Sequence, residues 1–350
     1  MVQDAQNSNL VNFFLGIIAV FVTGVMLLEL QTVLMPFVIA MLLSIIFKPI
    51  ILGLREKRIP MIIALFGVLL LFLCVLFLMG WVLFSSADTF VRELPKYEAK
   101  IAVIADQIEA SLMMGAQRFN LQSSDFQWSD AIDLNSVTSA LTTGLGSFLS
   151  FVATTFMVVL FMLFILAGSG DLGKKVRLSF PEDVSTKLAS VIKIVDSQVR
   201  QYLVTKTLVS LSTGFLTWLA LLLLGVDFPL VFGFIAFVLN YIPNVGSTVA
   251  VLFPFGLTLL QFETATVPLL VILGLGGIQM IMGNVIEPRI MGYSLNLSPL
   301  LILVSLIFWG WLWGVWGMVL AVPLTSTIKI VFENLDSTRR FARLMNGSVE

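Results

Sequence analysis

Polar side chains able to bind a small polar molecule cluster at a break in an apolar stretch, residues 240–247, which reads Asn-Tyr-Ile-Pro-Asn-Val-Gly-Ser. Pro243 lacks a backbone N–H, and a helix broken here leaves carbonyls that must face a polar cavity or water. Amide and hydroxyl side chains beside such carbonyls add hydrogen-bond donors and acceptors without a fixed charge. The candidate substrate-path residues are Asn240, Tyr241, Pro243, Asn244, Gly246 and Ser247, with Gln279 and Asn284 on the next apolar segment.

The same cluster also has a purely structural interpretation. Asparagine and serine inside apolar helices join neighbouring helices through hydrogen bonds, each worth roughly 0.6 kcal/mol. The spacing alone does not separate a substrate path from such helix contacts, so both interpretations stay open.

Charged residues are rare between residues 207 and 328, where the sequence has only Asp227, Glu263, Glu287 and Arg289. Ionisable groups inside a membrane are costly and usually functional. Glu287, Arg289 and Asp227 are therefore candidates for a gate or for ion coupling, with Glu287 able to take up a proton. The alternative is that Pro288 ends a helix at the surface and that these charges are solvated, as we expect for Asp227 and Glu263 at an interface.

Tryptophans are concentrated at a second interruption, where Trp309, Trp311 and Trp313 flank Gly310 and Gly314. Tryptophan is enriched at membrane interfaces, which would place this segment near a surface. At the tip of a re-entrant hairpin, the same side chains would instead form a wall of the transport path. The sequence leaves both positions open.

Several kinds of chemistry are absent from this chain. It has no histidine and one cysteine, Cys74, which excludes Ser-His-Asp catalysis, histidine-ligated metal and an intrachain disulfide. No phosphate-binding glycine loop opens a helix after a strand, so we expect no nucleotide cofactor. We predict that the protein is not an enzyme and has no catalytic residues, metal site or cofactor. A net charge of −1 gives no indication of nucleic-acid binding.

The composition is that of a membrane protein. Of 350 residues, 58% are hydrophobic and 12% are charged, and the mean hydropathy is +1.02. Soluble domains contain about 25% charged residues. Because the apolar runs reach 18 residues or more, they predict helices rather than the alternating strands of a β-barrel. The predicted fold class is an all-α polytopic membrane protein.

The chain divides into segments of different character. Apolar runs alternate with an acidic stretch that has a helical apolar spacing, and with a basic stretch that begins at Pro181-Glu182-Asp183. The predicted organisation is spans one to three in 1–87, a helical extracytoplasmic insertion at 88–140, span four in 141–170, a cytoplasmic amphipathic segment at 171–206, a transport core at 207–328 and a cytoplasmic tail at 329–350.

Two apolar stretches in the core, 228–262 and 290–328, are too long for single straight spans. Each would exceed about 50 Å as one helix, against a hydrocarbon core of about 30 Å. They are offset by about 70 residues, and paired broken helices are typical of binding sites in secondary transporters. Either each crosses the membrane as one tilted helix, which gives eight spans, or each is a re-entrant hairpin beside six full spans. Segment length favours the hairpins.

Basic residues predict which segments face the cytoplasm. The segments 48–58, 171–206 and 329–350 contain 15 of the 20 lysines and arginines. By the positive-inside rule these segments are cytoplasmic, which places the acidic insertion outside and both termini inside.

Three motifs resemble those of the autoinducer-2 exporter family of bacterial transporters. The first is the run from Phe237 to Ser247, and the second is Gly-Asn-Val-Ile-Glu-Pro-Arg-Ile-Met-Gly at 283–292. The third runs from Leu297-Ser298-Pro299-Leu300 through the tryptophan cluster to Leu320-Ala-Val-Pro-Leu324. The resemblance extends over essentially the whole chain.

This resemblance implies a bacterial inner-membrane protein that exports the quorum-sensing signal autoinducer-2 and assembles as a homopentamer with helical hairpins. Its partners would then be membrane lipid, a small polar signal molecule and further copies of the chain. Other members of the family are described as sodium or lithium/proton antiporters, so the resemblance does not identify the substrate.

Three hypotheses for function follow. The leading one is a secondary transporter that exports autoinducer-2 or a similar small polar metabolite. The second is a cation/proton antiporter in which Glu287, together with Asp227, titrates. The third is a non-transporting scaffold or sensor built around the 88–140 insertion, although an anchor has no need of broken intramembrane helices.

Overall fold

The computed structural model describes residues 2–81, 93, 96, 97, 100, 134–168, 172–291, 297–335 and 338–347. Within these ranges the chain is helical and has no strand, apart from an isolated bridge between Leu297 and Asn346. The amphipathic helix predicted for the insertion lies mainly outside the described residues.

Twelve helices are described, one of which continues from a short π-helical segment. Their bounds are α1 Val2–Glu29, α2 Gln31–Glu56, α3 Met61–Trp81, α4 Leu134–Gly168, α5 Leu172–Ser179, α6 Glu182–Leu223, α7 Pro229–Leu239, α8 Val245–Gln261, α9 Thr266–Ile281, the π segment Met282–Ile286, α10 Glu287–Met291, α11 Pro299–Asn334 and α12 Arg339–Leu344.

The prediction of an all-α polytopic membrane protein is confirmed. Six helices in the described ranges are long and apolar enough to cross a membrane: Gln31–Glu56, Met61–Trp81, Ser150–Gly168, Glu182–Leu223, Thr266–Met291 and Pro299–Asn334. Five of these helices correspond to predicted full spans, and one member differs between the two sets. The predicted first span lies in α1, whose apolar part, Phe14–Glu29, is shorter, and α11 qualifies by length although its chain direction reverses.

The chain forms two compact units. One consists of Met1–Leu70, Ala153–Thr205 and Met291–Glu350, and the other of Leu71–Val152 and Lys206–Ile290. Each unit contains one of the two broken stretches. The domain boundaries inferred from composition stay predictions.

The first broken stretch forms a helical hairpin of α7 and α8, called here the first hairpin (residues 229–261). At its open end the Gln261 Nε2 donates a hydrogen bond to the Gly225 carbonyl, at 2.9 Å. At its tip a Cβ added to Gly246 would lie 1.8 Å from the carbonyl oxygen of Leu239, so only glycine allows this approach. The two ends of the stretch are therefore adjacent, which is the geometry of the hairpin alternative.

The second broken stretch also reverses direction, within α11, and is called here the second hairpin (residues 299–334). Trp313 and Gly314 leave helical geometry, with φ angles of −130° and 61°. The Trp309 Nε1 donates to Thr325 Oγ1 at 3.2 Å, although a straight helix would separate these residues by about 24 Å. Ser298 caps the start of the helix by accepting a hydrogen bond from the Leu301 N–H at 3.2 Å.

Helix α6 begins at the predicted position. Glu182 and Asp183 occupy its first turn, where acidic side chains interact favourably with the helix dipole. It is 42 residues long, about 63 Å, and contains most of the predicted cytoplasmic segment (171–206) and the beginning of the predicted transport core (207–328). It therefore carries polar residues of the basic segment directly into an apolar run.

Candidate functional site

A cavity of about 240 Å³ lies at the tip of the first hairpin, within the unit that contains residues 206–290. Most side chains around it are polar, and it is open on one side. Three parts of the unit line it: the tip of the hairpin, Lys206 on α6, and a face that runs from α9 through the π segment to α10. The lining residues are Lys206, Asn240, Ile242, Pro243, Asn244, Ser247, Gln279, Met280, Gly283, Asn284 and Glu287.

Most of the candidate substrate-path residues meet in this cavity. Asn240, Pro243, Asn244 and Ser247 come from the hairpin, and Gln279 and Asn284 come from the opposite helix. Of the remaining two, Tyr241 lies beside the cavity and Gly246 provides the close approach that closes the tip. Their roles in binding stay predictions.

Hydrogen bonds to α6 hold the tip in place. The Asn240 Nδ2 donates to Ser210 Oγ at 3.0 Å, and the Asn240 side chain is buried. The Tyr241 hydroxyl donates to Thr207 Oγ1 at 2.8 Å. Because Thr207 and Ser210 are close in sequence on one helix, the tip is attached to a single short polar face of α6.

Asn244 makes the turn at the tip. Its φ of 61° and ψ of −53° lie outside the left-handed helical region, and the Val245 N–H donates to the Pro243 carbonyl at 2.7 Å, which forms a tight γ-turn around Asn244. The Asn244 carbonyl accepts hydrogen bonds from Ser247 Oγ and Thr248 Oγ1, both at 2.9 Å. These bonds satisfy a backbone carbonyl at the start of α8 and leave the Asn244 side chain exposed to the cavity.

A buried ion pair forms the charged part of the site. The Lys206 Nζ lies 2.6 Å from Glu287 Oε1, and the exposed fractions of the two side chains are 4% and 19%. A buried charge is costly unless it is paired, so each partner depends on the other. The pair brings both charges into the cavity lining while keeping their sum at zero.

The π segment Met282–Ile286 separates α9 from α10 just before Glu287. Such wide turns are rare and are frequently found at functional sites. Gln279, Gly283 and Glu287 are spaced by four residues and all line the cavity. The irregular turn thus lies on the wall of the site.

Lys206 was missed by the sequence analysis, which assigned it to the cytoplasmic basic segment. Its acidic partner is 81 residues away in the sequence, so no local pattern joins the two. One local pattern could have indicated Lys206, although less strongly than a motif would. Polar residues occur at helical spacing where an uncharged run begins, at Lys206, Thr207 and Ser210.

The other charged candidates lie elsewhere. Arg289 is exposed and does not line the cavity, and the ionic partner of Glu287 is Lys206. Asp227 lies at the open end of the first hairpin, where it accepts a hydrogen bond from the Tyr97 hydroxyl. A gate that joins Glu287 to Arg289 stays a hypothesis.

The tryptophan candidates belong to the second hairpin and are not part of this cavity lining. Trp309 and Trp313 are buried, and the Trp313 Nε1 donates to the Leu27 carbonyl at 3.3 Å. Trp311 is 67% exposed. Trp313 therefore joins the hairpin to α1 of the same unit, whereas Trp309 bonds Thr325 within the hairpin.

Known proteins are similar to this chain over nearly its full length. Residues 15–337 match the profile described as AI-2E family transporter. The AI-2 transport protein TqsA of Escherichia coli is 33% identical over 95% of this chain and 94% of its own. A candidate transport protein of Haemophilus influenzae is 32% identical over 98% of both chains, and the candidate transport protein YhhT of Escherichia coli is 31% identical over 88% of this chain and 86% of its own.

These relatives are named as transport proteins and not as enzymes. Together with the apolar helices, they make this chain a multi-pass membrane protein of a transporter family. Both the length of the match and the identity to TqsA lead to the same assignment: the chain belongs to the AI-2E family of transporters.

Proposed function

We propose that this protein is a secondary transporter that exports a small, uncharged, polar molecule through the cavity at the tip of the first hairpin. The observation that carries the proposal is the lining itself, in which four amide side chains surround an ion pair of zero net charge: Asn240, Asn244, Gln279 and Asn284 around Lys206 and Glu287. Autoinducer-2 is the proposed cargo, because TqsA is named for AI-2 transport.

The lining favours hydroxylated molecules over apolar ones and over ions. Amides donate and accept hydrogen bonds, so a molecule with several hydroxyl groups finds partners in either direction. A molecule without those groups would form fewer hydrogen bonds with the lining amides, and a site built from such groups discriminates against it. Lys206 and Glu287 already neutralise each other, so a charged cargo could gain a counter-ion in this cavity only by breaking their ion pair.

The membrane arrangement is proposed from the sequence patterns and the chain reversals together. Both hairpins are re-entrant, the segments rich in lysine and arginine face the cytoplasm, and both termini lie in the cytoplasm of a bacterial inner membrane. The chain assembles as a homopentamer, as the family resemblance implies. The first hairpin changes access to the cavity as a unit.

Transport into oriented membrane vesicles tests the proposal. Inverted vesicles containing the wild-type protein are expected to accumulate labelled autoinducer-2, and Asn240→Ala is expected to reduce the initial rate about tenfold while membrane insertion is retained. Asn334→Ala serves as the matched control, because that exposed side chain donates to the Ile330 carbonyl of its own helix and does not line the cavity. Normal transport by well-expressed Asn240→Ala would contradict the assignment of the site.

Cation/proton antiport is a second candidate, favoured by one observation: a carboxylate, Glu287, lines the cavity. Sodium added to proteoliposomes with a pH-sensitive dye inside would then trigger proton movement. If this movement occurs and is lost in Glu287→Gln, antiport replaces export as the function. If sodium has no effect while autoinducer-2 accumulates, export stands.

A further inference from the structure

The predicted extracytoplasmic insertion (88–140) contacts the first hairpin at its open end. The Tyr97 hydroxyl donates a hydrogen bond to the Asp227 carboxylate, and the Lys96 Nζ lies 3.4 Å from the same carboxylate. Tyr97 is 3% exposed, so this side chain is enclosed and not simply lying on a surface. Burial, and then the hydrogen bond to Asp227, raise the pKa of Tyr97 above its ordinary value, so the phenol stays a donor at physiological pH.

A second set of bonds joins the two ends of the hairpin to each other and to the insertion. The Asp227 N–H donates to Gln261 Oε1 at 2.9 Å, while the other end of that amide bonds the Gly225 carbonyl. The Lys100 Nζ donates to the Gln261 carbonyl at 3.0 Å. Gln261 is the last residue of α8, and Asp227 lies two residues before α7. One polar cluster therefore holds both ends of the hairpin.

The opposite end of the same hairpin carries the cavity residues. Helices α7 and α8 are 11 and 17 residues long, about 16 and 26 Å, and they connect the polar cluster to the tip, with Pro254 inside α8. The two helices pack against each other, which provides a contiguous route from the base of the hairpin to its tip. The position of Asn240 and Asn244 thus depends on how the open end is held.

We propose that Tyr97 and Lys100 are positioning residues for transport, which hold the base of the first hairpin through Asp227 and Gln261 and thereby set where the tip stands in the cavity. This proposal depends on the proposed function for one of its two tests, the transport rate. The other test, thiol labelling at the tip, does not depend on it. In this proposal the insertion takes part in the transport cycle. A separate sensor or scaffold domain, in contrast, would not need to contact the hairpin.

The first test measures transport as a function of cargo concentration. Tyr97→Phe removes only the hydroxyl, and we expect it to change the maximal rate of autoinducer-2 transport about threefold or more, with thermal stability close to that of the wild type. Asp227→Ala and the double variant Tyr97→Phe/Asp227→Ala are expected to have the same maximal rate as each other, because the Tyr97 hydroxyl has no acceptor to lose once the carboxylate is gone. Asp227→Ala alone also removes the ion pair with Lys96. Ser212→Ala is the control, since that exposed hydroxyl donates to the Leu208 carbonyl of its own helix.

The second test reads the position of the tip without any cargo. In a Cys74→Ser background, Ser247→Cys places a thiol in the cavity lining, and its reaction rate with a small maleimide reports access to the tip. We expect adding Tyr97→Phe to change this rate about threefold or more, with no change for a control thiol at Ser197. Because the readout needs no transport, it separates this proposal from the proposed function.

The outcomes are distinct. If labelling changes while no variant, including the wild type, moves autoinducer-2, the positioning role stands and the proposed cargo fails. If neither the labelling rate nor the maximal rate responds to Tyr97→Phe, the positioning role is overturned. If Tyr97→Phe changes the maximal rate as much in the Asp227→Ala background as in the wild type, the two residues act separately and the proposal is likewise overturned.

Discussion

At the scale of single residues, the Lys206–Glu287 pair is the feature on which the site depends most. Lys206 is almost fully buried, and its ammonium group has a carboxylate 2.6 Å away. Removal of one partner from a buried pair leaves a charge without compensation, whereas removal of both is often nearly neutral. This asymmetry makes the pair testable by variants that differ in one side chain.

Lys206→Met is expected to destabilise the protein by about 3–5 kcal/mol, because Glu287 is left unpaired. The double variant Lys206→Met/Glu287→Gln is expected to recover most of that loss. Thermal unfolding in detergent measures both, with Lys193→Met, an exposed lysine of the same helix, as the control. A double variant no more stable than Lys206→Met would show that the pair is not the source of the loss.

At the scale of elements, the tip of the first hairpin depends on the absence of a side chain. The carbonyl of Leu239 occupies the position that a Cβ on Gly246 would take, and it cannot move without opening the turn. In contrast, Gly256 on the same helix has open space around its Cβ position. Two glycines on one helix therefore have opposite expected responses to the same substitution.

Gly246→Ala is expected to displace the tip, to lower thermal stability by about 2 kcal/mol or more and to reduce transport at least tenfold. Gly256→Ala is expected to leave transport unchanged and to stabilise α8 by up to about 1 kcal/mol, since alanine favours helices over glycine. Unfolding and vesicle transport of both variants measure this difference. Equal behaviour of the two variants would contradict the packing argument.

The elements differ in how far sequence could predict them. Pro243 and the amides around it mark the break, because proline and buried polar groups have strong local effects. Gln279 and Asn284 could be suggested from their place on the next apolar segment. Lys206 could not be predicted as a site residue, because its role depends on a partner, Glu287, that is distant in sequence. The contact of Tyr97 with Asp227 depends on tertiary packing in the same way.

At the scale of the whole molecule, the insertion also bears on the side of the membrane. Lys96, Tyr97 and Lys100 contact the open end of the first hairpin at Asp227 and Gln261. That end must therefore lie on the same side as the insertion, which the basic segments predict to be the outer side. A single crossing by 228–262 would place its two ends on opposite sides.

Cysteine labelling is expected to place Glu263 outside and Arg289 inside. In a Cys74→Ser background, a membrane-impermeant maleimide added to intact cells with a permeabilised outer membrane should react with Glu263→Cys but not with Arg289→Cys, both of which are exposed positions. Inverted vesicles should give the opposite pattern. Eight continuous spans would exchange the two results.

The first hairpin has a further property that concerns the membrane potential. Residues 229–261 include no aspartate, glutamate, lysine or arginine. A charge carried across a membrane is subject to about 2.3 kcal/mol per 100 mV, whereas an uncharged segment moves through the same field without electrical work. Motion of this hairpin with the proposed uncharged cargo, and without a coupled ion, is therefore expected to produce no current. In that case the initial rate of transport into vesicles should be the same with and without an imposed membrane potential.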